Sequence, residues 1–205
     1  MGRGTALKRI GLFGGSFDPV HSAHVALARL ALQHLALDEM RWLPAGRPWQ
    51  KAHRALAADE HRVAMLKLAI GREPRFVLDE RELHRAGPSY TIDSVLELQA
   101  EEPAAEWFLV IGQDQHVRLH TWHRWQELLA RVTLAVAPRA GESGQASPQV
   151  AALPHAEVAL PAMPVSATDI RERLARGEGI DGLVPPAVAR YIEQHHLYQR
   201  GTPGN

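Results

Sequence analysis

Short apolar runs alternate with stretches of helical period along most of this chain, and that alternation leaves few architectures open. Residues 107–111, Trp-Phe-Leu-Val-Ile bounded by Gly112, are continuously apolar, as expected of a strand covered on both faces of a sheet. Ile10-Gly11-Leu12-Phe13 forms a similar run within 9–13, and 40–43, 76–78, 132–137 and 158–160 are candidates for the remaining strands. Between them, Val25, Leu27, Leu30, Ala31, His34 and Leu35 make a stripe of helical period over about 22–37. A helix over 59–70 is capped by Asp59 and closed by Gly71, and another over 91–101 is stopped by Pro103. Helices over 125–130, 168–176 and 185–195 complete the series. Strands regularly followed by helices predict an α/β fold, a doubly wound, mainly parallel sheet with further helices at the C-terminus. Such sheets bind ligands beyond the carboxyl ends of their strands.

The chain has 205 residues, a length suited to one domain spanning 1–205 with its core over about 9–199. Residues 140–155 are rich in Gly, Ser, Pro, Ala and Gln and are expected to form a mobile loop, while 201–205 reads as a frayed tail. Lys plus Arg number 23, as do Asp plus Glu, so the formal net charge is zero and neither a nucleic-acid surface nor a polybasic membrane contact is indicated. The lack of cysteine removes disulfides and thiolate metal sites and fits a reducing compartment. No run approaches the roughly 18 apolar residues of a membrane helix, and the basic N-terminus lacks the apolar segment of a signal peptide. A cytoplasmic protein is the expectation.

The chemistry concentrates where the first strand ends. Residues 14–24 read Gly-Gly-Ser-Phe-Asp-Pro-Val-His-Ser-Ala-His. Gly14 and Gly15 let backbone amides approach a ligand with no Cβ between them. A helix starting near 19–22 turns its amide hydrogens and the positive end of its dipole toward the same place. His21 and His24 share the first turn of that helix and are able to donate to phosphate oxygens, although two surface histidines would show the same spacing. The G-x-G-x-x-G fingerprint is absent, because Phe17 and Val20 stand in its later positions, and there is no G-x-x-x-x-G-K-[ST]. A zinc site is not indicated, since no third His, Asp or Glu lies nearby at helical spacing. A second cluster, Val165-Ser166-Ala167-Thr168-Asp169-Ile170-Arg171, offers hydroxyls and an arginine at the start of another helix. A plain N-cap explains the hydroxyls of Ser166 or Thr168 equally well, but not the arginine. Two anion sites at opposite ends of one chain point to a polyphosphate held between them.

These residues resemble the paired signatures of the nucleotidyltransferase superfamily, which includes adenylyltransferases and class I aminoacyl-tRNA synthetases. Residues 14–24 are similar to its GG[ST]FDP-x-H-x-x-H motif, and Ser-Ala-Thr-Asp-Ile-Arg at 166–171 to its S-[ST]-T-x-I-R motif. Asp79-Glu80-Arg81-Glu82-Leu83, Pro88-Ser89-Tyr90-Thr91, Ile111-Gly112-Gln113-Asp114 and Thr121-Trp122 narrow the resemblance to the bacterial nicotinate-nucleotide adenylyltransferases, over about 9–199. Ala23 stands where the family commonly has glycine, and Ala167 where it has serine, which removes a second hydroxyl there.

The resemblance implies a Rossmann-like nucleotidyltransferase fold and transfer of the adenylyl group of ATP to nicotinate mononucleotide, giving deamido-NAD and pyrophosphate in NAD biosynthesis. It implies that Gly14, Gly15, Ser16 and Phe17 line the ATP site through backbone contacts, with Asp18 as the nearest carboxylate. His21 and His24 would act at the phosphate oxygens around the reacting centre, and Ser166 and Arg171 at the β- and γ-phosphates, so His21, His24 and Arg171 are the catalytic candidates. Mg²⁺ is expected to travel with ATP rather than on a protein metal site. Trp122 would stack on the pyridine ring, Ser89, Tyr90 and Thr91 would meet its carboxylate, and Lys51 and Arg139 the acceptor phosphate. Core packing for Trp122 and solvated positions for Lys51 and Arg139 are the competing readings. Rival functions are a related adenylyltransferase acting on nicotinamide mononucleotide or phosphopantetheine, and a nucleotide-sensing domain without turnover.

Overall fold

Six described strands form one fully parallel sheet: β1 (Arg9–Gly15), β2 (Glu39–Pro44), β3 (Phe76–Leu78), β4 (Glu106–Gly112), β5 (Thr133–Ala137) and β6 (Ala156–Glu157), in the order β3-β2-β1-β4-β5-β6. The computed structural model describes residues 7–46, 56–138, 146–159, 161 and 163–199. Lys51 and Arg139 therefore lie outside the described residues, as do 140–145 of the 140–155 stretch and the 201–205 tail.

Alternation along the strands builds two cores, one on each face. Ile10 and Leu12 of β1 join Trp107, Leu109 and Ile111 of β4 and Leu134 and Val136 of β5 in one cluster. Phe13, Phe108, Val110 and Ala135 face the other way, into a cluster with Trp42 of β2. The first helix, α1 (Ser22–His34), and α2 (Asp59–Ile70) pack into that second set through Val25, Ala28, Ala31 and Leu32 and through Met65, Leu66 and Ile70. Wholly buried side chains such as Trp42, Met65 and Leu66 each contribute about 1.5–3 kcal/mol relative to exposure. After the short α3 (Arg81–His84), α4 (Thr91–Glu101) covers the opposite face with Ile92, Val95 and Leu98. No described helix is long and apolar enough to cross a membrane.

The remaining helices are α5 (Gln113–Arg118), followed by a 3₁₀ turn at Leu119–Thr121, then α6 (Trp125–Leu129), α7 (Pro148–Ala151), α8 (Ala167–Ala175) and α9 (Pro186–Gln194). Strand order reverses between β1 and β4, because the chain leaves β1 toward β2 and β3 but leaves β4 toward β5 and β6. A parallel sheet opens a crevice at such a reversal, beyond the carboxyl ends of the two central strands.

Several local expectations change. The N-cap of α2 is Ala58, not Asp59, whose carboxylate turns instead to the guanidinium of Arg62 within the first turn. Helix α1 stops at His34 rather than near 37, because Ala36 turns into left-handed backbone (φ 47°). The last strand lies at Ala156–Glu157 instead of 158–160: Val158 still donates to the Val136 carbonyl at 2.8 Å, but Pro138, which has no N–H, ends β5 beyond it. Within the stretch expected to be a mobile loop, α7 forms and buries Val150.

Candidate active site

A cleft of about 430 Å³ opens at the strand-order reversal, lined by the ends of β1 and β4. Three helices of nine residues or more begin on it, beside the short α5, whose N-cap Gly112 also stands in its wall. His21, Tyr90 and Ser166, the N-cap residues of α1, α4 and α8, all contribute to its wall. Each brings the positive end of a helix dipole, so the cleft is built to receive several negative groups at once. The two cores explain the arrangement: Phe17, Val165 and Ile170 anchor the starts of α1 and α8 in one core, while Tyr90 and Trp122 pack against the other.

The 14–24 segment supplies one side. Gly14 is exposed, and a Cβ added there would meet only the Leu43 carbonyl, at 3.9 Å, so packing does not demand glycine and the space belongs to the cleft. At Gly15 the same addition would press on the Phe17 ring at 3.1 Å. Phe17 sits in left-handed backbone (φ 46°) and buries its ring between Phe13, His24 and Trp42. That turn redirects the chain toward α1. The imidazoles of His21 and His24 stack with centroids 3.5 Å apart. The His21 amide donates to His24 Nδ1 at 3.2 Å, which assigns the neutral His24 imidazole its proton on Nε2, a donor. Not every amide of the first turn faces a ligand, since Ser22 N–H donates to the Leu183 carbonyl at 2.9 Å.

Side chains from distant parts of the chain clamp this segment from behind. Arg62 of α2, completely buried, donates to the Ser16 carbonyl at 2.9 Å. Arg171 of α8 donates to the Asp18 carbonyl and, at 2.9 Å, to Thr168 Oγ1, and its guanidinium lies 3.9 Å from Asp18 Oδ2. Asp18, which is 2 % exposed, also accepts from the Tyr198 hydroxyl at 2.7 Å and the Ala57 amide at 3.3 Å. Asp18 therefore serves the architecture of the loop and is not part of the cleft wall, whereas Arg171 reaches both. Ser166 does two things at once: its Oγ accepts from the Asp169 amide at 3.1 Å, capping α8, and it lines the cleft.

The opposite side holds the residues expected at the acceptor. Thr91 opens α4, and Tyr90 stacks on His123 with centroids 4.3 Å apart. Ser89 is buried with its hydroxyl donated to the Glu82 carbonyl at 3.1 Å, so it shapes the turn before α4 rather than presenting a free hydroxyl. Trp122 lines the cleft while its ring packs against the core on that face, combining the two readings of it.

Sequence reasoning missed several contributors. Arg62 shares the helical stripe of Met65, Leu66 and Ile70, and a cation at a core-facing position is the signal that marks it. Glu82 carries no signal beyond the family resemblance, yet its buried carboxyl lines the cleft and accepts from Ser94 at 2.8 Å. Burial pushes that carboxyl above the usual glutamate range. Gly46 packs so closely on α3 that a Cβ would come 2.0 Å from the Glu82 carbonyl.

Comparisons with known proteins follow the same lines. Residues 12–173 match the cytidylyltransferase-like family. A protein of Methylibium petroleiphilum named "Probable nicotinate-nucleotide adenylyltransferase" is 55% identical over 197 residues, covering 93% of this chain and 92% of that one. One of the same name from Albidiferax ferrireducens is 47% identical, covering 94% of this chain and 99% of its own. The solved structure of Plasmodium falciparum nicotinic acid mononucleotide adenylyltransferase complexed with NaAD superposes with a TM-score of 0.77 at 19% identity, over 93% of this chain and 97% of that chain, a likeness of fold.

Proposed function

The chain belongs to the nicotinate-nucleotide adenylyltransferase family, within the cytidylyltransferase-like proteins, and from that premise we propose which of its residues perform the reaction and how. The family joins nicotinate mononucleotide to ATP, giving deamido-NAD and pyrophosphate. An oxygen of the mononucleotide phosphate attacks the α-phosphorus of ATP, and the bond from that phosphorus to the β-phosphate oxygen breaks. The attacking phosphate monoester has a second pKa of about 6 and is largely dianionic at neutral pH, so no general base is required. Catalysis consists of bringing two anions into line and stabilising charge on the α-phosphate and the departing pyrophosphate.

The observation that carries this reading is the convergence of three helix N-termini, at His21, Tyr90 and Ser166, on one cleft. The start of α1 takes the α-phosphate: His24 donates from Nε2, with stacked His21 beside it. Gly14, Gly15, Ser16 and Phe17 border the ATP through the backbone. The start of α8, with Ser166 and Arg171, takes the β- and γ-phosphates. The start of α4 takes the nicotinate carboxylate, and Trp122 stacks on the pyridine ring. A carboxylate only accepts hydrogen bonds, so amides directed at it favour nicotinate over nicotinamide, whose NH₂ would face donors.

Mg²⁺ accompanies ATP in this scheme. It binds oxygen ligands and keeps several waters, and the cleft offers the exposed carboxylate of Asp114 for that water shell, whereas Glu82 is buried against Ser94. When bound, the ion supplies charge neutralisation at the phosphate oxygens. The single sheet with a core on each face supports one catalytic domain, and small charged substrates on both sides of the reaction support a cytoplasmic setting.

Purified protein with ATP, Mg²⁺ and nicotinate mononucleotide is expected to release pyrophosphate, and more slowly with nicotinamide mononucleotide. No release with either acceptor overturns the assignment. Faster release with nicotinamide mononucleotide overturns only the selectivity.

A further inference from the structure

The C-terminal segment after α9 does more than end the chain. His196 and Tyr198 both adopt left-handed backbone, with φ of 50° and 65°, a conformation unfavourable to residues with a Cβ. The two turns carry Tyr198 back across the molecule, where its mostly buried hydroxyl donates to Asp18 Oδ1 at 2.7 Å, a contact spanning 180 residues. Burial, and then Asp18 itself, push the phenol above the usual tyrosine range, which keeps the hydroxyl proton in place as the donor. Asp18 is thereby held at one carboxylate oxygen while its carbonyl accepts from Arg171, the guanidinium of which also borders the cleft.

We propose that Tyr198 is a positioning residue for ATP: by fixing Asp18 from the far end of the chain, it sets the Arg171 guanidinium at the angle the triphosphate requires. The proposal rests on the assignment of Arg171 to the β- and γ-phosphates. Its physical basis is that a long arginine side chain loses rotamer freedom when it binds, and a guanidinium already docked on a fixed carbonyl has lost that freedom in advance. Without the phenol, Asp18 moves within its site, Arg171 follows it, and the triphosphate meets a less ordered cation. The acceptor half of the cleft, packed on the other core, is untouched.

Tyr191 provides the control. It sits on α9 and its hydroxyl also makes one side-chain bond, 3.0 Å to His61 Nδ1 of α2 rather than to a residue of 14–19. Tyr198→Phe is expected to raise KM for ATP about tenfold while KM for nicotinate mononucleotide stays within about twofold. Tyr191→Phe is expected to leave both KM values in place while lowering stability to a similar extent. Asp18→Leu removes the acceptor at the other end, along with its contacts to the Ala57 amide and toward Arg171, so adding Tyr198→Phe to it should lose little more than Asp18→Leu alone, because the phenol then has no partner there to hold. Calorimetric titration of ATP without acceptor should show the same loss of affinity in Tyr198→Phe. Equal KM changes for the two substrates, Tyr198→Phe behaving as Tyr191→Phe does, or multiplicative losses in the double variant overturn the proposal. If Tyr198→Phe fails to fold, Asp18→Leu decides by the same KM comparison: a rise confined to ATP supports the linkage and equal rises overturn it. Absence of turnover in the unaltered protein would count against the proposed reaction, while the ATP titrations still judge the role of Tyr198.

Discussion

Replacing Arg62 by methionine should uncouple stability from ATP binding. The guanidinium is fully buried and donates to the Ser16 carbonyl at 2.9 Å, with a second contact to Asp59. Losing the bond to Ser16 costs about 1.5–3 kcal/mol, as hydrogen bonds from charged donors do. Losing Asp59 costs less than about 1 kcal/mol, since the Asp59 side chain is 53% exposed and returns to water. Against both stands the relief of a buried cation, a desolvation penalty of several kcal/mol, and a flexible thioether that fills much of the same channel. The opposing contributions nearly cancel, so Arg62→Met should lie within about 1.5 kcal/mol of the unaltered protein. ATP binding has no such compensation. Ser16 loses its fixed donor, the turn at Phe17 loosens, and KM for ATP should rise about tenfold. Urea unfolding reads the first quantity: with m near 2 kcal/mol/M, the midpoint should move by less than about 1 M. Pyrophosphate release reads the second. A midpoint lowered by more than about 1 M, or an unchanged KM for ATP, would refute this reasoning.

His24→Ala should cut kcat by about a hundredfold or more with a modest change in KM for ATP, because its contact strengthens as charge develops at the α-phosphate; a rise in KM alone would make His24 a ground-state binder. Trp122→Ala should raise KM for nicotinate mononucleotide about tenfold, the worth of one stacked ring, with ATP kinetics preserved. Gly46→Ala forces the Glu82 carbonyl away from its 2.0 Å approach and should raise KM for the same substrate, and unaltered kinetics would show that the turn before α4 does not depend on this packing. His116 is buried on α5 with neither ring nitrogen hydrogen-bonded, and burial, with His155 at a ring distance of 5.0 Å, lowers its pKa below the usual histidine range. The unfolded chain therefore takes up the proton first as pH falls below about 6.5, and the contribution to stability present above that pH is lost progressively beneath it. Urea midpoints at pH 7.5 and 5.5 should differ less in His116→Phe than in the unaltered protein; equal differences would remove His116 as the source.

The architecture was legible because the signals that set it are local. Continuous apolar runs placed β4 and β1, Phe76–Leu78 and Thr91–Glu101 have the bounds read from the sequence, the latter from the turn before it and Pro103 after it, and the alternation itself implied the parallel sheet. The short helices α3, α5 and α7 were not legible, since four to six residues show too little of a 3.6-residue period to distinguish it from chance, and only α6, of five residues, was read, at 125–130. The cap of α2 shows the limit at single-residue scale: Asp59 looks like an N-cap, but its carboxylate has a stronger partner in Arg62, visible only once the helix packs. Within the site, the signatures at 14–24 and 166–171 marked groups that do line one cleft. The side chains behind them come from positions with no motif of their own. Nothing in the order of residues announces that a tyrosine 180 positions away reaches Asp18.

The reversal of strand order between β1 and β4 has a consequence for how such a chain diversifies. Phe17, Val165 and Ile170, which anchor the starts of α1 and α8, rest in one core, and Tyr90 and Trp122 pack against the other, with a single layer of backbone between them. A change in Tyr90, Trp122 or their neighbours is absorbed by packing that the adenylyl-transfer machinery does not share. The sheet acts as a partition, so the choice of acceptor is free to drift under selection while the transfer step stays fixed. Grafting a different acceptor loop onto this chain is thus a problem confined to one side of the sheet.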